Sequence, residues 1–251
     1  MRTLFLLWSI IALSFLSPGE DLLIVADEIP AMQIVASDIQ QQLGLTSKII
    51  GQKDMAASLS NYKAVIVYIH HAIDTPAENA FIGYAENGGK LLLLHHTIGS
   101  PKRKNVRWFP FLGIELPTGE LAEGGYKYYD PVSFDLVNLA PNHPITSKNV
   151  QYEETVEYSS PLTQGLRQLP GTRFNDTEIY LNHRLLGQRT ILLGIKYKDP
   201  RGDEVFMQDT GGWMKETSKG LVIYFMPGHL PDDFKNRAYA QILVNAVAYH
   251  R

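Results

Sequence analysis

The chain has 251 residues, 45% hydrophobic and 20% charged, which fits a folded globule of one large domain or two small ones. With 23 basic and 26 acidic residues the formal charge is −3, so nothing in the balance invites nucleic acid, and a neutral or weakly charged small molecule is the expected partner. The absence of cysteine excludes disulfides and thiol catalysis.

Met1-Arg2-Thr3 carries one positive charge, and Leu4 to Leu16 is apolar except for Ser9 and Ser14. Ser17-Pro18-Gly19 then supplies small residues. This is the pattern of a secretory signal peptide. The apolar run is shorter than the roughly 20 residues that span a bilayer, and it lacks the period of an amphipathic helix. Residues 1–19 are therefore predicted to be a signal peptide. Its removal leaves a domain of 20–251 that is secreted or periplasmic and keeps no stable membrane span.

Asp21 to Ala26 reads as a short buried strand. Pro30 can start a helix; Val35, Ile39 and Leu43 give it one apolar face, and Gly44 stops it. Thr46 to Ile50 and Ala64 to Ile69 are further strands. Thr75-Pro76-Ala77-Glu78 has capping-box spacing and Pro at the first helical position. That helix carries Phe81, Ile82 and Ala85 and ends at Gly88. Leu91 to Leu94 is the fourth strand. This alternation predicts a parallel sheet with helices on both faces. From about Pro117 to Gln208 the pattern changes. Val132 to Val137, Glu154 to Tyr158, Thr190 to Tyr197 and Val205 to Gln208 read as strands of an antiparallel extension or of long inserted loops. Leu221 to Met226 is a late buried strand. A last helix, capped by Asp232 or Asp233, comes after it with the face Phe234, Ala238, Ile242, Leu243 and Ala246.

Chemistry gathers at strand ends. In Gly88-Gly89-Lys90-Leu91-Leu92-Leu93-Leu94-His95-His96-Thr97, a buried strand delivers two histidines into the turn at its carboxyl end, where such sheets bind ligands. Many hydrolases place a Ser or Cys nucleophile at that turn. His229 comes after the last buried strand, beside Gly228. Glu178 and Tyr180 stand two apart and would share one face of a strand. His95, Glu178 and His229 are the candidate catalytic groups, suited to acid–base work near neutral pH. They could also ligate a divalent metal such as zinc with an open position for water. No His-Glu-x-x-His pair is present, and acid–base or binding use without a metal stands ahead of it. His96, Tyr180, Trp108 and His143 are candidate substrate-binding residues. Trp108 could supply a sugar-stacking face or be core, and both readings stay open, while Phe111 and Leu112 read as core. His70 and His71 come after the third strand and carry a weaker signal. Lys102-Arg103-Lys104 and Arg107 read as a solvated basic loop, with steering of an anionic substrate as the alternative.

Together these landmarks resemble the trehalose-utilisation ThuA-like family. They are Gly88-Gly89 through His95, Trp108 to Gly113, Pro161 to Leu166, Phe174 with Glu178 and Tyr180, and Lys219-Gly220 through His229. The resemblance runs from about Asp21 to Arg251. It implies a class I glutamine amidotransferase-like fold: α/β, flavodoxin-like, doubly wound around a mostly parallel sheet. It also implies a carbohydrate-related enzyme acting on a sugar or oxidised sugar; a glutamine amidotransferase itself would need the missing cysteine. A non-catalytic sugar-binding or structural module using the same cleft is the alternative. The chain departs from the family pattern at three places. Ser160-Pro161 replaces its His-Pro, with His143-Pro144 lying upstream; Thr177 replaces the Asp of its Asp-Glu pair; Leu221 replaces an Arg.

Overall fold

The first half folds as its apolar runs dictate. In chain order it forms β1 (Leu22–Ala26), α1 (Ile29–Leu43), β2 (Ser47–Ile50), β3 (Ala64–Tyr68), α2 (Thr75–Glu86) and β4 (Lys90–Leu94). All five residues of β1 and of β3 are buried, so both faces of the sheet are covered. Gly44 adopts φ +69° and closes α1 through its N–H to the Gln40 carbonyl. After β4 come α3 (Trp108–Leu112), β5 (Ile114–Glu115), β6 (Lys127–Asn138), α4 (Pro144–Ser147), β7 (Glu154–Tyr158) and β8 (Arg167–Leu181). The chain continues with β9 (Arg184–Leu185), β10 (Thr190–Lys198), β11 (Val205–Glu216), β12 (Leu221–Phe225) and α5 (Arg237–Ala248). This computed structural model describes residues 20–250. The signal peptide expected at 1–19 lies outside the described residues. No helix among the described residues is long and apolar enough to cross a membrane.

Ten strands form one sheet in the order β2-β1-β3-β4-β12-β11-β10-β6-β8-β7. The first five are parallel, in the 2-1-3-4-5 order of flavodoxin-like folds, with β12 as the fifth. The other five run antiparallel and extend the sheet outward from β12. The middle of the chain is thus an extension of the core sheet. β5 and β9 pair separately. α1 packs against α5, which packs against α4, while α2 packs against α3.

Three local expectations are corrected. Thr75 and Glu78 form no capping box: Asp74 is the N-cap of α2 and makes no side-chain bond there. Glu78 is buried and accepts instead from the Arg107 N–H and from Asn105 Nδ2. The last helix is capped by Asn236, whose side chain accepts from the Tyr239 N–H, because Asp233 is engaged elsewhere. Lys102 is not solvated. It is fully buried and donates to the Ile69 and His70 carbonyls at the end of β3. Burial pushes its ammonium down to about 7.

Candidate functional site at the carboxyl edge of the sheet

β4 and β12 are parallel neighbours, so the turns at their carboxyl ends emerge at the same edge. His95 is the first residue after β4 and adopts φ +37°, a left-handed conformation uncommon for a side chain with a Cβ. It opens one turn of 3₁₀-helix over His95–Ile98. The strained strand-to-helix turn that presents a nucleophile in α/β-hydrolases here presents an imidazole. Gly228, at φ +124°, brings the chain back after β12 so closely that a Cβ would meet the Phe234 ring at 2.7 Å. The Tyr68 hydroxyl, from β3, donates to the Gly228 carbonyl at 2.7 Å and fixes that turn.

Glu178 arrives from β8. The pairing of β6 with β8 slips between Val132 and Phe134, and Asp176 sits at φ +51° in the resulting bulge. Bulges re-aim side chains near functional sites. After this one, Thr177 through Leu181 are all buried, including Glu178 and Tyr180. Thr177 donates to Asp233 Oδ2 at 2.6 Å, and Asp233 also accepts from the Leu230 N–H. This clasp ties β8 to the segment that carries His229.

Glu178 Oε2 is the hub. It lies 2.9 Å from His95 Nε2, 3.7 Å from His229 Nδ1 and 4.0 Å from His96 Nδ1. The Nδ1–H of His95 donates to the Met226 carbonyl, so Nε2 is the nitrogen turned to the carboxylate. A 2.9 Å contact between that nitrogen and a carboxylate oxygen requires one proton between them. The Tyr180 hydroxyl lies 3.2 Å from His96 Nδ1 and 3.4 Å from His95 Nε2. Burial raises the Glu178 carboxyl, but the hydrogen bond and charge of His95, with help from Tyr180 and His229, outweigh it and hold the acid below its ordinary value. Burial first, then His95, His70 and Lys102, push His96 far down, so its ring is neutral. Burial also raises Tyr180 well above the usual phenol range.

A cleft of about 130 Å³ opens onto this cluster between His70, His96, Tyr126, Tyr128, Glu178 and Tyr180. A larger groove of 550 Å³ lies elsewhere, between residues 57–63 and 79–89. It touches the amino end of β4 and has no convergent acid–base groups, so it is the less suitable reaction site.

The structure therefore brings together His95, His96, Glu178, Tyr180 and His229, and adds His70, stacked on His96 with ring centroids 4.0 Å apart. Two candidates lie apart. Trp108 is fully buried, donates to the Thr97 carbonyl and packs on Phe81 and Phe111, so it offers no face to a sugar. His143 accepts from the Ile145 N–H at the start of α4 and lies beside Tyr249, away from the cleft. Sequence reasoning missed Asp130, 3.6 Å from His229 Nε2, and the cleft tyrosines Tyr126 and Tyr128. The period-2 spacing of the two tyrosines was the available signal. Asp130 continues that spacing, but the pairing of β6 with β8 is what brings it beside His229.

The sequence pattern of the ThuA family, described as trehalose utilisation, matches residues 25–250. The chain belongs to the ThuA family. Solved structures share the fold. A ThuA-like protein from Parabacteroides merdae superposes with a TM-score of 0.58 at 15% identity, over 92% of this chain and 89% of that one. A second, from Bacteroides uniformis, gives 0.57 at 20% identity over 95% and 94%. A cytoplasmic protein from Salmonella typhimurium gives 0.57 at 15% identity over 90% and 98%. No curated protein matches the chain in sequence. The family description suggests a carbohydrate-related role and a small-molecule sugar as partner.

Proposed function

We propose that this ThuA protein is an enzyme that moves a proton on a sugar or oxidised sugar bound in the cleft beside Glu178. The observation that carries the reading is the 2.9 Å contact between His95 Nε2 and Glu178 Oε2 at a strained strand-to-helix turn. With one proton already held between His95 Nε2 and Glu178 Oε2, the other oxygen of the carboxylate can take a second proton from a hydroxyl, or from a carbon next to a carbonyl, and the pair can return one to a neighbouring atom. Glu178 reaches the cleft wall, while His95 stands behind it, held by Met226. In this reading Tyr180, kept neutral by burial, donates a hydrogen bond to a substrate oxygen, and Tyr126 and Tyr128 offer ring faces to the sugar. For the residues before the domain we propose export, supported by the charge and apolar run of residues 1–19. Intact Met1-Arg2 in the mass spectrum of natively produced protein would count against cleavage.

The enzymatic reading is tested by screening keto-sugars and disaccharides for turnover with the mature protein, Glu178→Gln and His95→Asn. His95 is fully buried, so truncation to alanine would confound loss of chemistry with a cavity, whereas asparagine tolerates the left-handed backbone. Both variants should keep the native circular dichroism and lose turnover by on the order of a hundredfold or more. Turnover that persists in Glu178→Gln would overturn the assignment.

A further inference from the structure

The same four side chains have a geometry that proton transfer does not require. His95, His96, His229 and Glu178 each offer one ligand atom, and these atoms all lie within 4.8 Å of one another. The three imidazole rings are mutually inclined by 63–71°, with centroids 4.3 Å apart for His95–His96, 5.5 Å for His95–His229 and 5.4 Å for His96–His229. Imidazole nitrogens about 2.1 Å from one tetrahedral ion put their ring centroids about 5 Å apart, in planes that all pass through the ion, so that the rings cannot stack and all three cannot share one plane. Nothing in simple core packing asks for three inclined imidazoles around one carboxylate oxygen.

The surroundings fit the same reading. The outer nitrogen of His95 donates to the Met226 carbonyl, the device that fixes the tautomer and aim of a metal-ligating histidine. The outer nitrogen of His229 has Asp130 at 3.6 Å, a carboxylate behind a histidine. The inner nitrogen of His229, Nδ1, is buried with no hydrogen-bond partner, and a buried polar atom in that state calls for one.

We propose that His95, His96, His229 and Glu178 form a binding site for one divalent transition-metal ion, with zinc as the probe. Three nitrogens and one carboxylate suit zinc and its first-row neighbours rather than magnesium or calcium, which prefer oxygen ligands. The adjacent group Glu28, His70 and His96 is not a second site of this kind. The His70 and His96 rings stack at 13° and 4.0 Å, so no ion can lie in both ring planes. Binding displaces the proton shared by His95 and Glu178, so affinity rises with pH. By taking a fifth ligand, the loaded ion would polarise a sugar oxygen at the place where the empty site exchanges a proton.

The inference uses the proposed reaction centre but not the sugar chemistry, so the two fail separately. The full mature chain is stripped with a chelator, dialysed against zinc and analysed by elemental mass spectrometry and titration calorimetry. One zinc per chain is expected, with a raised melting temperature and no response to magnesium. Cobalt(II) should give the visible spectrum of a four-coordinate site. Glu178→Gln and His229→Asn should each weaken zinc at least tenfold, and Asp130→Asn, which removes only the supporting carboxylate, by about tenfold. Circular dichroism of the stripped variants establishes that they are folded. If a variant does not fold, the wild-type stoichiometry and cobalt spectrum decide. Absence of stoichiometric zinc in the wild type, or unchanged affinity in folded Glu178→Gln, overturns the site. If zinc binds and no sugar is turned over, the site stands and the enzymatic reading falls.

Discussion

Glu178 accepts from His95, and Tyr180 supports it, because a buried carboxylate without such partners would take up a proton instead. His96 sits in the same pocket as a neutral ring, depressed by burial and by the positive neighbours around it. These two residues give the folding stability a predictable pH dependence. His96 takes up a proton near the ordinary histidine value of 6.5 when unfolded but not when folded, so the unfolded chain binds more protons below that pH and stability falls with acid. Glu178 is held below the ordinary carboxyl value of 4.5, so its contribution is present above that pH and is lost as pH drops through the lowered folded value. Chelator-treated protein should therefore melt at a lower temperature at about pH 5 than at about pH 7, and lower again below about pH 4.5. His96→Gln should flatten the first decline. Melting curves over this range check it, and an identical slope in wild type and His96→Gln would refute the role given to His96.

At the level of elements, the site depends on how β8 is held against the turn after β12. Thr177 stands where the family pattern has an acid, and here it donates its hydroxyl to Asp233, which is buried 56 residues further on. That bond also explains why Asp233 does not cap α5. Thr177→Val keeps the shape and leaves a buried carboxylate oxygen with one donor fewer. It should cost about 1–3 kcal/mol in urea unfolding, and the loosened β8 should lower activity or ligand affinity as well. A variant with wild-type stability would show that the clasp does not hold the two segments. Trp108 makes the opposite point. Trp108 of the short α3 packs on Phe81 of α2 and on Phe111, so a residue suited to stacking on a sugar serves packing instead.

Across the described residues, the strand pairing of β12 with β11 joins the parallel and antiparallel halves of the sheet, and both halves contribute to the site. His95 and His229 come from the parallel side, Glu178 and Tyr180 from β8 on the other. The seam is packed by Trp213 against Tyr224, at 5.4 Å between ring centroids, with the Arg189 guanidinium 4.6 Å from the Trp213 ring. Trp213 is fully buried. Trp213→Ala should cost about 3–5 kcal/mol. Because one sheet and one main hydrophobic cluster cross the seam, wild type should unfold in a single calorimetric transition. Two resolved transitions would mean that the halves are separate folding units.

The apolar runs by themselves determined the parallel half. Leu22–Ala26, Ala64–Tyr68, Leu91–Leu94 and Leu221–Phe225 are continuous enough that only strands covered on both faces can bury them. The same logic marked His95 and His229 for one edge of the sheet, since each comes directly after such a strand. Local sequence also carried the family, through motifs whose order survives from Gly88 to His229. Only the tertiary structure decided the rest. The antiparallel half depends on pairings between distant strands, which local pattern does not encode, so the length of β8 and the bulge that aims Glu178 were not legible. The same holds for Asp130 behind His229, for Lys102 buried under β3, and for Asp233 drawn away from the helix it could have capped. In each case a polar side chain had several possible partners along the chain, and burial elsewhere selected one of them.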